Sequence, residues 1–277
     1  GEGAPRGITV GTAVAQMSYD GFAEYALAAA DKVFVVPVPT AQVVALLTSG
    51  LTASIALDQL GQLQPGKTVL VTAAAGGTGQ FAVQLAVLAG CHVVATAGGP
   101  DKVALVRSLG AHRVVDYKQE RLQDVLKAEY PKGVDVVYES VGGDMFEACV
   151  NGLAQSGRLI IIGMIENYSK GWPASKFEGV PEKLLWKSAS LCGFFLLRYA
   201  GLFRQHLSKL LMLVATGKLK VALDVHSQRF VGIDSVAEAV AHLQSGRSSG
   251  KVVVQLAQHL PPASCLAMPV MNAQSSL

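Results

Sequence analysis

From residue 67 to residue 195, short continuous apolar runs alternate with segments long enough to form a helix. Such runs predict strands that are buried on both faces, as in a parallel sheet. The predicted strands are Thr68–Val71, Val93–Thr96, Val114–Val115, Val134–Tyr138, Leu159–Ile162 and Leu191–Phe195. The predicted helices are Thr78–Ala89, Asp101–Leu109, Glu120–Ala128, Asp144–Leu153 and, further on, residues 202–215. This alternation predicts an α/β fold with a Rossmann-type, doubly wound parallel sheet.

The two ends of the chain do not share this alternation. Residues 8–36 contain short β-like pieces such as Ile8–Val10, and residues 251–256 have the pattern of a strand. Residues 41–60 predict an apolar helix, which Gly50 is expected to split into two pieces. The ends are therefore expected to belong to a different domain from the alternating segment.

Composition excludes several classes of protein. The chain has 277 residues, of which 51% are hydrophobic and 16% are charged, so it is not a disordered chain. Its four cysteines share no short spacing, which excludes a disulfide scaffold. The net charge is +3 without a long block of Lys or Arg, so nothing indicates binding to nucleic acid. No apolar run approaches 18 residues without a glycine or a charge, and we expect no membrane span.

A glycine-rich loop, Ala73–Gly79, follows the first predicted strand and opens a helix. This is the context of the dinucleotide-binding fingerprint, in which glycines let the backbone approach a pyrophosphate at a helix N-terminus. Ala74 stands where the fingerprint has its first glycine, while Gly76 and Gly79 keep the other two places. The other reading is a glycine-rich loop without a ligand, which the whole alternating series disfavours.

The next strand end indicates which dinucleotide is bound. An NAD site usually has Asp or Glu there, which binds the ribose hydroxyls. Here residues 96–100 contain no acid, whereas Lys102 and Tyr117 follow the second and third strands. This arrangement favours NADPH, although Lys102 could equally be a solvated helix lysine and Tyr117 an aromatic residue at the edge of the core.

Several motifs together resemble the medium-chain dehydrogenase/reductase superfamily, in its zinc-free quinone-oxidoreductase branch, and most of all the prostaglandin reductases. The residues that carry the resemblance are Gly50–Ala53, Ala73–Gly79, Ser108–Ala111, Asp116–Tyr117, Val134–Gly143, Gly157–Gly163, Ser188–Ser190, Gly193–Leu196 and Gly250–Val254. The match extends over about residues 10–256. It implies a Rossmann domain beside a β-rich, GroES-like catalytic domain.

The resemblance also implies where the cofactor lies. Its expected contacts are Gly76, Gly77, Thr78 and Gly79 for the pyrophosphate, Lys102 and Tyr117 for the adenosine 2′-phosphate, and Ser140, Ile162, Gly163, Tyr168, Phe194, Phe195 and Leu196 towards the nicotinamide. At position 98 the family often has a hydroxyl or basic side chain, which this chain lacks. Tyr199 matches a site tyrosine of a related reductase and is the candidate catalytic residue, with packing on the core as the other reading.

Zinc is not expected. A structural site needs four closely spaced thiolates, and a catalytic site needs Cys or His with a further His or acid. The cysteines and histidines here form no such group in the sequence. The charge that develops on a substrate carbonyl would then need hydrogen-bond donors.

The implied activity is NADPH-dependent reduction of the conjugated double bond of an enone. The resemblance implies that the enone is a 15-oxoprostaglandin, which is reduced at its 13,14 bond. Phe194 and Phe195 suit a lipid-like substrate. Two alternatives stay open at this point: an NADPH quinone oxidoreductase, and a non-catalytic NADPH-binding or interaction protein.

The expected domains are residues 1–37 as the end of the catalytic domain, 38–215 as the NADP-binding domain, 216–256 as the return to the catalytic domain, and 257–277 as a flexible tail. Because the family's catalytic domain needs further residues upstream, the chain is expected to be a fragment, a short isoform or an incomplete gene model. Its substrate pocket would lack one wall. The terminal Ser275-Ser276-Leu277 lacks the lysine of the peroxisomal Ser-Lys-Leu signal, so the expected location is the peroxisome or the cytoplasm. A homodimer is left open as the assembly.

Overall fold

The computed structural model describes residues 8–18, 20–174 and 177–256. Contacts divide the chain into two compact units. One unit contains the residues up to Thr48 and those from Leu207 onwards, and the other is Ser49–His206. The domain limits expected from the sequence stay predictions, and the tail 257–277, with its terminal tripeptide, lies outside the described residues.

A six-stranded sheet is the centre of the unit Ser49–His206. Its strands are β3 Thr68–Val71, β4 His92–Ala97, β5 Arg113–Asp116, β6 Val134–Glu139, β7 Leu153–Ile161 and β8 Ser190–Gly193. They lie in the order β5-β4-β3-β6-β7-β8, and every neighbouring pair is parallel. Val69, Leu70 and Val71 are fully buried, as expected for a strand covered on both faces. The predicted α/β, Rossmann-type fold is confirmed.

Helices cover both faces of this sheet, because each parallel strand pair needs a crossover connection. They are α2 Leu51–Ala56, α3 Gly79–Leu88, α4 Pro100–Ser108, α5 Leu122–Glu129, α6 Gly143–Asn151, α7 Ile165–Tyr168, α8 Val180–Lys187 and α9 Phe203–Ala215, of which α9 continues past this unit. The sequence predicted α3, α4, α5, α6 and α9 to within two residues at each end, whereas α7 and α8 were not predicted. A 3₁₀ segment, Leu196–Leu202, follows β8.

The apolar helix before β3 is not split at Gly50, contrary to the prediction. It runs through α1 Ala41–Ala45, a π-helical stretch Leu46–Gly50, α2, and a second π-helical stretch that ends at Gly61. Gly50 has φ −66° and ψ −46°, so the helix passes through it. The stretch Ala41–Gly61 is long and apolar enough to cross a membrane, but its apolar 18-residue window, with mean hydropathy 1.5, is 72% buried. Such burial is typical of a core helix.

The other unit contains β1 Val14–Gln16 and β2 Val33–Val35, which pair antiparallel, and helix α10 Val236–Gln244. The predicted strands at residues 8–10 and 251–256 are wrong. Residues 8–10 form no strand, and the segment 251–256 makes only two isolated bridges, Leu223 to Lys251 and Val231 to Gln255. Among the described residues, the strand pair β1–β2 and these two bridges are the β structure that corresponds to the implied β-rich domain.

Candidate cofactor site

The candidate residues share one edge of the sheet. Because all six strands are parallel, their carboxyl ends lie on the same side. The loop 76–79 follows β3, Lys102 and Tyr117 follow β4 and β5, and Ser140 follows β6. Residues 162–168 follow β7, and residues 194–199 follow β8. The chain runs from β3 outwards to β5 and then returns to β6 on the other side of β3, which makes the gap between β3 and β6 the topological switch point where such sheets bind ligands.

Gly76 and Gly79 lie close to the backbone of Ala73 and Ala74, as the tight turn of a dinucleotide site requires. A Cβ on Gly79 would lie 2.8 Å from Cα of Ala74 and 3.0 Å from the carbonyl carbon of Ala73, which is closer than real Cβ contacts. A Cβ on Gly76 would lie 3.1 Å from the carbonyl oxygen of Ala73. The loop ends where α3 begins, at Gly79. A glycine loop with this close backbone approach at a helix N-terminus fits a pyrophosphate.

Glu139, a residue that the sequence analysis did not single out, organises the switch point. It ends β6 and is fully buried. Its Oε1 accepts hydrogen bonds from the N–H of Val141 at 2.7 Å, from the N–H of Gly142 at 3.1 Å and from Oγ1 of Thr72 at 3.3 Å. Burial raises the pKa of Glu139, although these hydrogen bonds act in the opposite direction. The only feature of the sequence that could have indicated Glu139 is its position, as an acidic residue at the end of an apolar strand.

Thr72 and Ser140 complete this arrangement. The N–H of Ser140 donates to Oγ1 of Thr72 at 2.9 Å, which joins the ends of β3 and β6. The side-chain hydroxyl of Ser140 is buried and has no hydrogen-bond partner among the described residues. A buried hydroxyl without a partner costs stability. At this position the unpaired hydroxyl fits a bound polar group.

The predicted adenosine end of the site lies at the ends of β4 and β5. The position of a Cβ on Gly98 would overlap the hydroxyl of Tyr117, so the tyrosine lies over the glycine. Tyr117 is half-exposed, and Lys102 lies in the first turn of α4. The carboxylate of Asp116 accepts the N–H of Gly99 at 3.0 Å, which joins the two strand ends. The structure thus places both predicted 2′-phosphate residues beside the turn at Gly98.

Three of the residues predicted to lie towards the nicotinamide come together in the structure. The hydroxyl of Tyr168 lies 2.5 Å from the position of a Cβ on Gly163, and the carbonyl oxygen of Ser140 is 3.7 Å from the same point. The N–H of Ile162 donates to the carbonyl of Glu139 at 2.8 Å, and the N–H of Ile165 donates to that of Ser140 at 3.0 Å. The segments after β6 and β7 are therefore fixed to each other.

The aromatic residues after β8 have different environments. Phe194 is buried and its ring stacks on Tyr199 at 4.9 Å, whereas Phe195 is 62% exposed. The contact between Phe194 and Tyr199 is the packing contact that was weighed against a catalytic role for Tyr199. Leu196 is partly buried and begins the 3₁₀ segment that contains Tyr199. The structure therefore leaves the catalytic role of Tyr199 a prediction.

An apolar cavity of about 250 Å³ lies next to the end of β7. Its lining consists of Phe146, Ile161, Met164, Phe177, Val180 and Leu191. All six side chains are apolar, so the cavity has nothing to hold a phosphate or to polarise a carbonyl. It is separate in chemistry from the edge described above.

No three His, Cys, Asp or Glu side chains in the described parts of the chain could together hold a metal ion. The expectation of a zinc-free site stays a prediction. The site as described contains glycine backbone, hydroxyl groups and lysines, which fit a phosphorylated dinucleotide.

Comparisons with known proteins identify the family of this chain. The family model described as zinc-binding dehydrogenase matches residues 77–216, which is half of the chain. Prostaglandin reductase-3 of Mus musculus is 47% identical over 90% of this chain and 67% of its own length. A probable quinone oxidoreductase of Leishmania amazonensis is 42% identical over 90% of this chain and 74% of its own. A solved mycobacterial structure complexed with NADPH has a TM-score of 0.80 at 27% identity, and the match covers 92% of this chain and 78% of that one. The chain therefore belongs to the zinc-binding dehydrogenase family, within the medium-chain dehydrogenase/reductase superfamily.

Proposed function

We propose that this protein is an NADPH-dependent reductase of the conjugated carbon–carbon double bond of enones, with a 15-oxoprostaglandin, reduced at its 13,14 bond, as substrate. One observation carries the proposal: loops with glycine, lysine and hydroxyl-bearing residues follow the carboxyl ends of six parallel strands, around the switch point between β3 and β6. The similarity to the mouse prostaglandin reductase-3 supports this choice of substrate.

The residues of this chain would hold the cofactor along the edge of the sheet. Gly76, Gly77, Thr78 and Gly79 would bind the pyrophosphate at the start of α3, where the glycines allow close backbone approach. NADPH, when bound, supplies the hydride that the β-carbon of an enone accepts. The protein's task is to fix the geometry and to exclude water from the reacting atoms.

Hydride addition places negative charge on the substrate carbonyl oxygen, and donors are needed there. Tyr199 is the proposed catalytic residue, whose hydroxyl would donate to that oxygen. Ser140, Ile162, Gly163 and Tyr168 would form the nicotinamide side, with Phe194, Phe195 and Leu196 beyond them. A proton from water or a tyrosine then completes the reduction at the α-carbon.

Steady-state oxidation of NADPH tests the proposal, with 15-keto-prostaglandin E2 and an ortho-quinone as the two acceptors. We expect turnover of the enone. Faster turnover of the quinone would favour a quinone oxidoreductase, which the similarity to the Leishmania protein supports as the second candidate. Turnover of neither acceptor, together with tight NADPH binding, would refute an enzymatic role for this chain and favour a binding protein.

The role of Tyr199 has its own test. Tyr199→Phe keeps the ring that stacks on Phe194 and removes only the hydroxyl. A fall in kcat of tenfold or more with little change in KM is expected for a donor that acts in the transition state. Unchanged kcat would assign the tyrosine to packing alone.

A homodimer is the proposed assembly. Strand β8 is the last strand of the described sheet order, and it presents an open edge there. Leu185 and Trp186 on the preceding helix α8 are 73% and 79% exposed. Open edges and exposed apolar side chains favour association. Light scattering during size exclusion should give twice the chain mass, and a monomeric mass for the wild type would refute the dimer.

The proposed location is the peroxisome or the cytoplasm, on the terminal sequence alone. Imaging of the chain with a fluorescent protein on its amino end, beside a peroxisomal marker, would separate the two. A Ser276→Lys variant, which creates the Ser-Lys-Leu signal, is the positive control.

A further inference from the structure

The strand ends at the adenosine side are joined by one carboxylate. Oδ1 of Asp116 accepts the N–H of Gly99 at 3.0 Å and the N–H of Lys118 at 3.1 Å. The backbone of Lys118, after β5, is thereby fixed against the turn that leads from β4 into α4. The two residues that follow Asp116 therefore have set positions beside Gly98 and Gly99.

Gly98 has no side chain, and the Tyr117 side chain occupies the space beside it. The position of a Cβ on Gly98 would overlap the tyrosine hydroxyl. A hydroxyl or basic group on residue 98 is consequently excluded from this arrangement. Residue 98 thus makes no side-chain contact with a phosphate, and the recognition must come from its neighbours.

Lys118 is such a neighbour. Its Nζ lies 3.9 Å from the position of a Cβ on Gly99, so the ammonium group stands over the same turn from the β5 side. The side chain is exposed, and in the described part of the chain it forms no ion pair with a carboxylate. The ammonium group is available to an anion that reaches Gly99.

We propose that Lys118 is a second cationic contact for the cofactor 2′-phosphate, opposite Lys102, and that it replaces the polar side chain missing at Gly98. This inference rests on the proposed function in one respect, the identity of the cofactor as NADPH. Lys102 lies in the first turn of α4 and Lys118 follows β5, and the Tyr117 hydroxyl lies at the turn between these two elements. Selectivity for NADPH over NADH then depends on two lysines instead of one.

Binding measurements on the full-length chain test this inference without turnover. The variants are Lys118→Met, which keeps the length of the aliphatic stem and removes the charge, and Lys118→Arg, which keeps the charge. Lys127→Met on α5 is the matched control, because Lys127 is also exposed and lies on a helix outside the cofactor edge. The ligands are NADPH, NADH, 2′,5′-ADP and 5′-AMP, titrated by calorimetry.

For Lys118→Met we expect NADPH and 2′,5′-ADP to bind about fivefold to tenfold more weakly, as for the loss of one solvent-exposed hydrogen bond. NADH and 5′-AMP should bind within twofold of the wild type. Lys118→Arg should keep most of the affinity for 2′,5′-ADP, and Lys127→Met all of it. The wild-type preference for 2′,5′-ADP should also fall with added salt more steeply than that of Lys118→Met, because exposed charges are screened.

Equal affinity of Lys118→Met and wild type for 2′,5′-ADP would overturn the inference, as would a parallel loss for 5′-AMP. A wild type that binds 2′,5′-ADP no better than 5′-AMP would also overturn it. By contrast, a chain that binds NADPH through Lys118 but reduces no enone refutes the proposed function and leaves this inference standing. The two failures are therefore distinguishable.

Discussion

Gly79→Ala tests the close approach of helix α3 to the strand that precedes it. The new methyl group would lie 2.8 Å from Cα of Ala74, about 0.7 Å inside the ~3.5 Å at which carbon atoms normally meet. The atoms in the way belong to the backbone, so no flexible side chain can move aside. Either α3 or the turn after β3 must move.

The expected cost lies at the upper end of the range for overpacking, about 3 kcal/mol. For a protein of this size, that corresponds to a fall in Tm of roughly 6–12 °C. The same movement displaces the N–H groups of Gly77 and Thr78, so we expect NADPH binding to weaken at least tenfold.

Two further alanine variants grade the effect. A Cβ on Gly76 meets only the carbonyl oxygen of Ala73, at 3.1 Å, so Gly76→Ala should cost about 1 kcal/mol, near the lower limit for overpacking. A Cβ on Gly61 makes ordinary contacts at 3.4 Å and longer, so Gly61→Ala should leave stability unchanged or slightly raised. Thermal unfolding followed by circular dichroism, with NADPH titration by fluorescence, measures all three. If Gly79→Ala unfolds at the wild-type temperature, or Gly76→Ala costs more, the close-approach argument is wrong.

Three other predictions follow from buried groups. Burial raises the pKa of Glu139 above its ordinary 4.5, so its contribution to stability is greatest below that pH and is lost as pH rises through the folded value; urea unfolding at several pH values should show this slope, and Glu139→Gln should remove it. Burial alone would raise the pKa of Asp224, but hydrogen bonds from the N–H of Ser249, the N–H of His226 and the His242 side chain outweigh it and lower the pKa, so its stabilisation is lost as pH falls through the folded value. Asp224→Asn should remove that acid-dependent loss in the same unfolding series, and an unchanged acid slope would contradict the assignment. Burial raises the pKa of the Cys149 thiol, so iodoacetamide followed by peptide mass mapping should modify the half-buried Cys192 first; equal labelling of both would show that the core opens readily.

Much of the sheet could be predicted from the sequence, because strands buried on both faces need unbroken apolar runs. The runs at β3 and β6 gave the strands to within one residue, and the parallel order then brought the candidate residues to one edge. The glycine loop was predictable for a similar reason. Its chemistry is local and depends on small residues at set spacings.

The first half of β7 could not be predicted in this way. Residues 154–157, Ala-Gln-Ser-Gly, have the composition of a turn, and Ser156 has φ +57°. The pairing with β6 shifts register between Val134 and Val136. An irregular strand therefore occupies residues 154–158, between the helix predicted to end at Leu153 and the strand predicted to begin at Leu159. Tertiary pairing decided this segment.

Side-chain networks were the other limit. The sequence alone hardly distinguishes Glu139 and Lys118 from other charged residues. Their positions depend on hydrogen bonds between segments that are far apart in the chain. Gly50 shows the reverse case. A residue that weakens an isolated helix is carried through by π-helical turns and burial, which supply more stability than the glycine removes.

The parallel order of the six strands has a consequence for how the protein is made. Antiparallel strands can pair through a short hairpin, but each pair here closes only after a crossover has formed. The predicted cofactor edge gathers residues from 76 to 199, so the complete edge cannot assemble before nearly the whole unit has folded. A ligand held there binds only the folded chain and stabilises it by mass action. Supply of the dinucleotide during synthesis therefore becomes a means of raising the yield of folded protein.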